Sequence, residues 1–150
     1  MRLPARSVRK APWYAAGLTF ECQGCGACCA GPGEGYVWVT PEEIGAIAEH
    51  LGISRQEVHS KYARKVGRRF SLRELPVSKD CVFLAANCQD RRHCGIYPVR
   101  PNQCRTWPFW KSNLRSPKAW ASSQARCVGI NRGRTHSLQE IQALCNATRE

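Results

Sequence analysis

Cys22-Gln23-Gly24-Cys25-Gly26-Ala27-Cys28-Cys29 places four thiols within eight residues. Two thiols separated by two residues can share one metal ion, and a third at the same interval extends the cage. Such density points to a metal or iron–sulfur site rather than to core packing. Gly24 and Gly26 let the backbone approach the sulfurs and direct amide N–H groups at them, which stabilises thiolate charge and tunes a cluster's potential. Cys28 and Cys29 are adjacent, so their side chains are expected to diverge. One of them then reaches a second centre or stands as a reactive thiol beside the first.

Further cysteines follow at positions 81, 88, 94, 104, 127 and 145. Ten cysteines in 150 residues mean a secreted disulfide scaffold or an intracellular metal protein. Met1–Lys10 is basic, but Pro12 and Gly17 interrupt Ala11–Phe20, leaving no apolar core for a secretory signal. No apolar stretch approaches the roughly 20 residues of a membrane span. The expected compartment is therefore the reducing cytoplasm, with thiolate ligands favoured over disulfides and no membrane partner. The basic residues before position 11, with no acid among them, also match an organellar transit segment.

The net charge of +12 would fall to about +8 with two four-thiolate centres in place. Charge of this size suits RNA, an acidic protein partner or an anionic cofactor, and does not choose among them.

Around these thiols the chain predicts few elements. Residues 1–20 read as an extended arm that Trp13-Tyr14 could pin to the body, residues 1–12 being its flexible basic part. Gly31–Gly35 is a turn-rich linker, and Tyr36–Val39 a short strand. Thr40, Pro41 and Glu43 open a helix through a capping box; Ile44, Ile47, Ala48 and Leu51 give its apolar stripe, and Gly52 its end. Ser54 and Glu57 repeat the box for a second helix, with Val58, Tyr62 and Val66 as its stripe before Gly67. The two should form an αα-hairpin.

Residues 70–75 and 81–84 are candidate strands, 88–110 loop or single-turn helix, and 116–133 loop. Ser137 and Glu140 cap a third helix reaching about Ala147. The expected fold is α+β, small and irregular: an αα-hairpin, a C-terminal helix and short strands around a cysteine-ligated metal core. Residues 1–150 are expected to form a single domain.

Several pieces now combine: Phe20-Glu-Cys-Gln-Gly-Cys-Gly-Ala-Cys-Cys29, Cys81-Val-Phe-Leu84, Cys94-Gly-Ile-Tyr-Pro-Val-Arg-Pro101, Gln103-Cys-Arg105 with Pro108-Phe109 after it, and Cys127. In this order they resemble the YkgJ-type CxxCxxCC family, described as zinc- or iron-chelating, over residues 13–135. The broad family includes the flagellin lysine N-methylase. The resemblance implies metal binding and carries the family's cysteines onto Cys22, Cys25, Cys28, Cys29, Cys81, Cys94, Cys104 and Cys127. Eight thiols match two four-sulfur sites, or one [4Fe–4S] cluster with a structural zinc. A CxxCxxC run suits a cubane, so [4Fe–4S] is preferred for at least one site; zinc is the alternative.

Arg100 and Arg105, which bracket Cys104 in that motif, are expected to hydrogen-bond thiolates or hold an anion. Cys145 lies on an apolar helical stripe and reads as a core thiol; Cys88 is open between spare thiol and ligand. His93 reads as solvated, and His50, His59 and His136 have no assigned role. Trp107–Trp110 would shield a cluster or pack a core. Lys61, Arg64, Lys65, Arg68 and Arg69 form a basic run that is a solvated helix face or an RNA or acidic-protein contact. Gly31-x-Gly-x-Gly35 precedes a strand, so it is no phosphate cradle.

Three functions fit: an iron–sulfur or zinc protein, redox-active in the first case; an S-adenosylmethionine-dependent modifying enzyme of the N-methylase type; or a zinc module that binds RNA or protein. No Ser–His–Asp order, paired-carboxylate motif or Walker loop supports a hydrolase.

Overall fold

The computed structural model describes residues 9–86, 89 and 91–148. Cys88 lies outside them. Short antiparallel strands and helices make up the described chain, giving the mixed α+β class.

The arm enters the body as strand β1 (Leu18–Phe20), which pairs with β7 (Ile130–His136) near the far end of the chain. Trp13 fastens the approach: its indole N–H donates to Leu114 O at 2.7 Å, and its ring meets Tyr14 edge-on and Trp120 at a tilt.

β2 (Trp38–Val39) leads into α1 (Pro41–Leu51) and α2 (Arg55–Lys61), each opened by its complete capping box. The hairpin of β3 (Ala63–Val66) and β4 (Arg69–Leu72) follows, in sheet order β2-β4-β3. The second helix is thus shorter than its periodicity predicts. Val58, Tyr62 and Val66 are spaced like a stripe, but Val66 sits opposite Arg69 across a two-residue turn, with Gly67 at φ +62°. That left-handed φ suits a hairpin and costs a non-glycine residue.

One face of the sheet joins α1 and α2 in a core of Val39, Ile44, Ile47, Ala48, Val58, Leu72, Phe83 and Ile96. Burying an aliphatic side chain of this kind contributes about 1.5–3 kcal/mol.

β5 (Leu84–Ala86) and β6 (Arg92–Cys94) form a second hairpin. A 3₁₀ turn at Tyr97–Val99 leads to α3 (Asn102–Thr106) and α4 (Lys111–Leu114).

Residues 116–133, expected as loop, instead hold α5 (Pro117–Gln124) and the start of β7. Ser116 Oγ accepts Ala119 N–H and Pro117 takes the first helical position, so the start signal is local. α6 (Leu138–Ala147) closes the described chain. A second core gathers Phe109, Leu114, Trp120, Cys127, Ile130, Ile141 and Cys145.

Candidate metal centre

Cys28 and Cys29 sit on a single 3₁₀ turn (Ala27–Cys29) that Gly26 enters at φ +69°. A Cβ on Gly26 would stand 2.8 Å from Leu84 Cδ1, a terminal methyl that can move aside, so the left-handed φ is what favours glycine here. Cys81 N–H donates to Cys29 O at 2.7 Å and brings the third thiol beside the pair. Leu84 faces Cys94 across the β5–β6 hairpin, and Gly95 N–H donates to Phe83 O. Cys104 comes in on α3, whose first turn is set by Pro101.

These segments bring five sulfurs into one another's fields. The Cys29 thiol lies between those of Cys28 and Cys94 and hydrogen-bonds both. Its proton stabilises the neighbouring thiolates, lowering Cys28 to about 7 and Cys94 to about 6, with burial opposing. Cys29 itself, the donor in both pairs, is pushed up. Burial raises Cys81 to about 11, against a hydrogen bond from the backbone of Phe83. Cys104 is also pushed up, by burial first and then by the charges of Cys81, Cys28 and Cys94.

Cys28 and Cys29, expected to diverge, hydrogen-bond each other, and Cys29 also meets Cys94.

Arg100 supplies the cationic field. It favours the thiolate at Cys28, Cys94 and Cys104. Its guanidinium stacks 3.7 Å from the centre of the Tyr97 ring, and its Nε donates to Tyr97 O. Arg105 turns to the backbone, donating from Nε to Arg100 O at 2.8 Å. It thereby holds the loop that presents Arg100.

The remaining family positions lie around this group. Cys22 is exposed and accepts a hydrogen bond from the Tyr97 hydroxyl, which raises the tyrosine above its ordinary range. Cys25 is exposed on the same loop. Cys127 is buried in the second core, on a turn whose Gly129 O accepts Glu21 N–H, the residue before Cys22. Cys145 is buried in that core too. His93 is exposed, whereas His136 packs on Phe20 and Phe109 and hydrogen-bonds Phe20 O.

Trp107 and Phe109 pack in the second core, and Trp110 donates to Gln103 O. Trp107 Nε1, three residues beyond Cys104, is buried with no hydrogen-bond partner. Tyr97 and Gln103 had no assigned role; both lie inside the Ile-Tyr and Gln-Cys-Arg pieces of the motif, which was the available signal.

Among the described residues no three Cys, His, Asp or Glu side chains close on a point tightly enough to hold one ion. The thiols meet instead as hydrogen-bonded pairs and longer-range neighbours. Chemically the set is five soft sulfur donors with Arg100 acting on three of them. That fits zinc or iron–sulfur and not the hard, oxygen-seeking cations.

No helix among the described residues is long and apolar enough to cross a membrane. No solved structure matches the chain. It is similar to an uncharacterized protein of Methanocaldococcus jannaschii, at 35% identity over 97 residues, which is 64% of this chain and 48% of the relative. The chain thus spans about half the length of this curated relative. Residues 21–146, and with them every thiol of the group described above, match the CxxCxxCC family, "Putative zinc- or iron-chelating domain", and the chain belongs to that family.

Proposed function

We propose that this metal-binding protein carries a [4Fe–4S] cluster on the group formed by Cys28, Cys29, Cys81, Cys94 and Cys104, and works in the cytoplasm. The observation that carries the reading is the gathering of five thiols from four separate segments of the chain. A [4Fe–4S] cluster takes four cysteine thiolates, so four of the five would ligate it and the fifth would stand beside it.

A cubane bound there would supply one-electron transfer. Arg100 would offset the negative charge of the thiolates, as it does for Cys28 and Cys94. The backbone donors that hydrogen-bond Cys81 and Cys94, from Phe83 and Ile96, would hold the ligands deprotonated. Cys22, Cys25 and Cys127 would serve a second centre, because the Glu21–Gly129 hydrogen bond draws their two segments together.

Zinc is the second reading, favoured by the all-thiolate donor set. Iron and acid-labile sulfide analysis of protein purified without oxygen separates the two. The expected result is iron and sulfide in equal amounts with a broad visible absorption band. Colourless protein with stoichiometric zinc and no sulfide would overturn the cluster.

A further inference from the structure

On the sheet face turned away from the first core, Tyr36 and Trp38 stack with ring centres 4.9 Å apart and planes 7° from parallel. The Arg64 guanidinium lies over the Tyr36 ring at 5.0 Å, and that of Arg69 over Trp38 at 3.9 Å. The antiparallel register sets Trp38 opposite Ser71 and Val39 opposite Phe70, which puts Arg69 beyond Trp38 on the side away from Tyr36. The four side chains therefore form a column, a guanidinium at each end and two aromatic rings between.

Beside it opens a cleft of about 400 Å³, lined by Trp38, Phe70, Pro41, Arg68, Arg69 and Asn102. Arg68 and Arg69 are exposed. No ion pair is recorded for Arg64, Arg68 or Arg69 among the described residues.

We infer that this face binds single-stranded nucleic acid, with a base entering the cleft against the Arg69 guanidinium plane and phosphates meeting Arg64, Arg68 and Arg69.

The column pre-pays the cost of ordering the arginines, since the rings hold both guanidiniums flat. A planar cation held this way stacks a base on its free face and offers N–H groups to phosphates at its edge. An acidic peptide could use the edges but not the plane, and it has no ring to fill the apolar cleft. Net charge of +12 adds long-range attraction.

Base identity should matter little. The cleft's polar groups are engaged within the protein: Thr40 Oγ1 with Glu43 N, Glu43 Oε1 with Asn102 N, and the Gln103 amide with the backbone of Tyr36 and Trp38.

The test uses full-length, metal-loaded protein and fluorescence anisotropy. The probes are a labelled mixed-sequence single strand, the same sequence as a duplex, and a labelled polyglutamate of equal charge. The single strand should bind most tightly, with a log–log salt slope of roughly −2, as expected for about three phosphate contacts. Arg68→Ala with Arg69→Ala should weaken it about tenfold and flatten the slope by about one to two.

Arg69→Lys keeps the charge but not the plane, so it should lower affinity several-fold at unchanged slope. Arg115→Ala with Lys118→Ala, exposed just after α4 and on α5, should leave binding intact, and metal content should be unchanged in all variants. The inference is overturned by undetectable binding, by polyglutamate or duplex binding as tightly as the single strand, by full affinity in Arg69→Lys, or by equal loss in both double variants.

Discussion

The Gln103 side chain is joined to the backbone on either side of Val37: its Oε1 accepts Trp38 N–H at 2.8 Å, and its Nε2 donates to Tyr36 O at 2.9 Å. Gln103 is buried and precedes Cys104. One amide therefore ties the edge strand β2 to the helix that brings in a thiol. It completes the hydrogen bonding of a strand whose other edge pairs with β4.

Replacing Gln103 by Leu keeps the volume but strands a backbone donor and an acceptor in a part-buried setting. The expected loss is about 2 kcal/mol, since each unsatisfied group costs roughly 1–3 kcal/mol before water or local rearrangement relieves it. Gln103→Glu still accepts from Trp38, but its ionised carboxylate would face Tyr36 O unpaired at a buried position, so its loss should be at least as large. Urea unfolding of the metal-loaded protein reads both, as a lower midpoint at unchanged slope.

The thiols should divide by position. Cys94→Ser and Cys104→Ser should each lower the metal held at the five-thiol group and reduce stability, because binding energy at such a site is folding energy. Cys127→Ser should remove no more than the second centre's metal and leave the first. Cys145→Ala should keep all metal and cost about 1 kcal/mol of packing, as a small buried thiol in an apolar cluster would. Metal per protein, measured on each variant beside its unfolding midpoint, decides each expectation. Metal retained at wild-type level in Cys94→Ser would remove that residue from the ligand set.

What the sequence made legible was what depends on neighbours a few residues away. Thr40 with Glu43, Ser54 with Glu57 and Ser137 with Glu140 all form reciprocal caps, because a capping box is encoded within four positions. Ser116 carried the same kind of signal but no acid three residues on, and α5 went unread. Helical spacing at Val58, Tyr62 and Val66 misled, because Val66 pairs with Arg69 across the tight Gly67–Arg68 turn, and the sheet formed there overrides helical periodicity. Two pairings were beyond a local reading: Leu18 with His136, and the Cys29 thiol with that of Cys94. So was the column at Tyr36, Trp38, Arg64 and Arg69. Its basic residues were visible as a run, but the rings that order them come from the next strand.

The cap that was missed is itself measurable. Ser116→Ala removes the acceptor for Ala119 N–H at 3.1 Å and should cost about 1 kcal/mol. Ser116→Asp restores an acceptor and adds charge at a helix start, so it should recover most of that loss. Since α5 packs Trp120 against Phe109 and Trp13, thermal unfolding followed by tryptophan fluorescence reports the change.

Glu140 carries the clearest pH signature. Its Oε2 accepts Ser137 N–H at 2.7 Å and its Oε1 accepts from Arg134 at 2.9 Å. The backbone hydrogen bond is the larger cause, and together they lower the carboxyl from the ordinary 4.5 to about 2. Because the folded value lies below the unfolded one, the contribution is complete above about 4.5 and fades as pH falls through about 2. Acid also protonates thiolate ligands, so global unfolding would mix two effects. The Glu140 carboxyl carbon, followed by NMR, isolates one. It should titrate at about 2 in the native chain and only partway back toward 4.5 in Arg134→Met, since Ser137 N–H remains. A midpoint at the ordinary carboxylate value in the native chain would mean that the cap does not hold in solution.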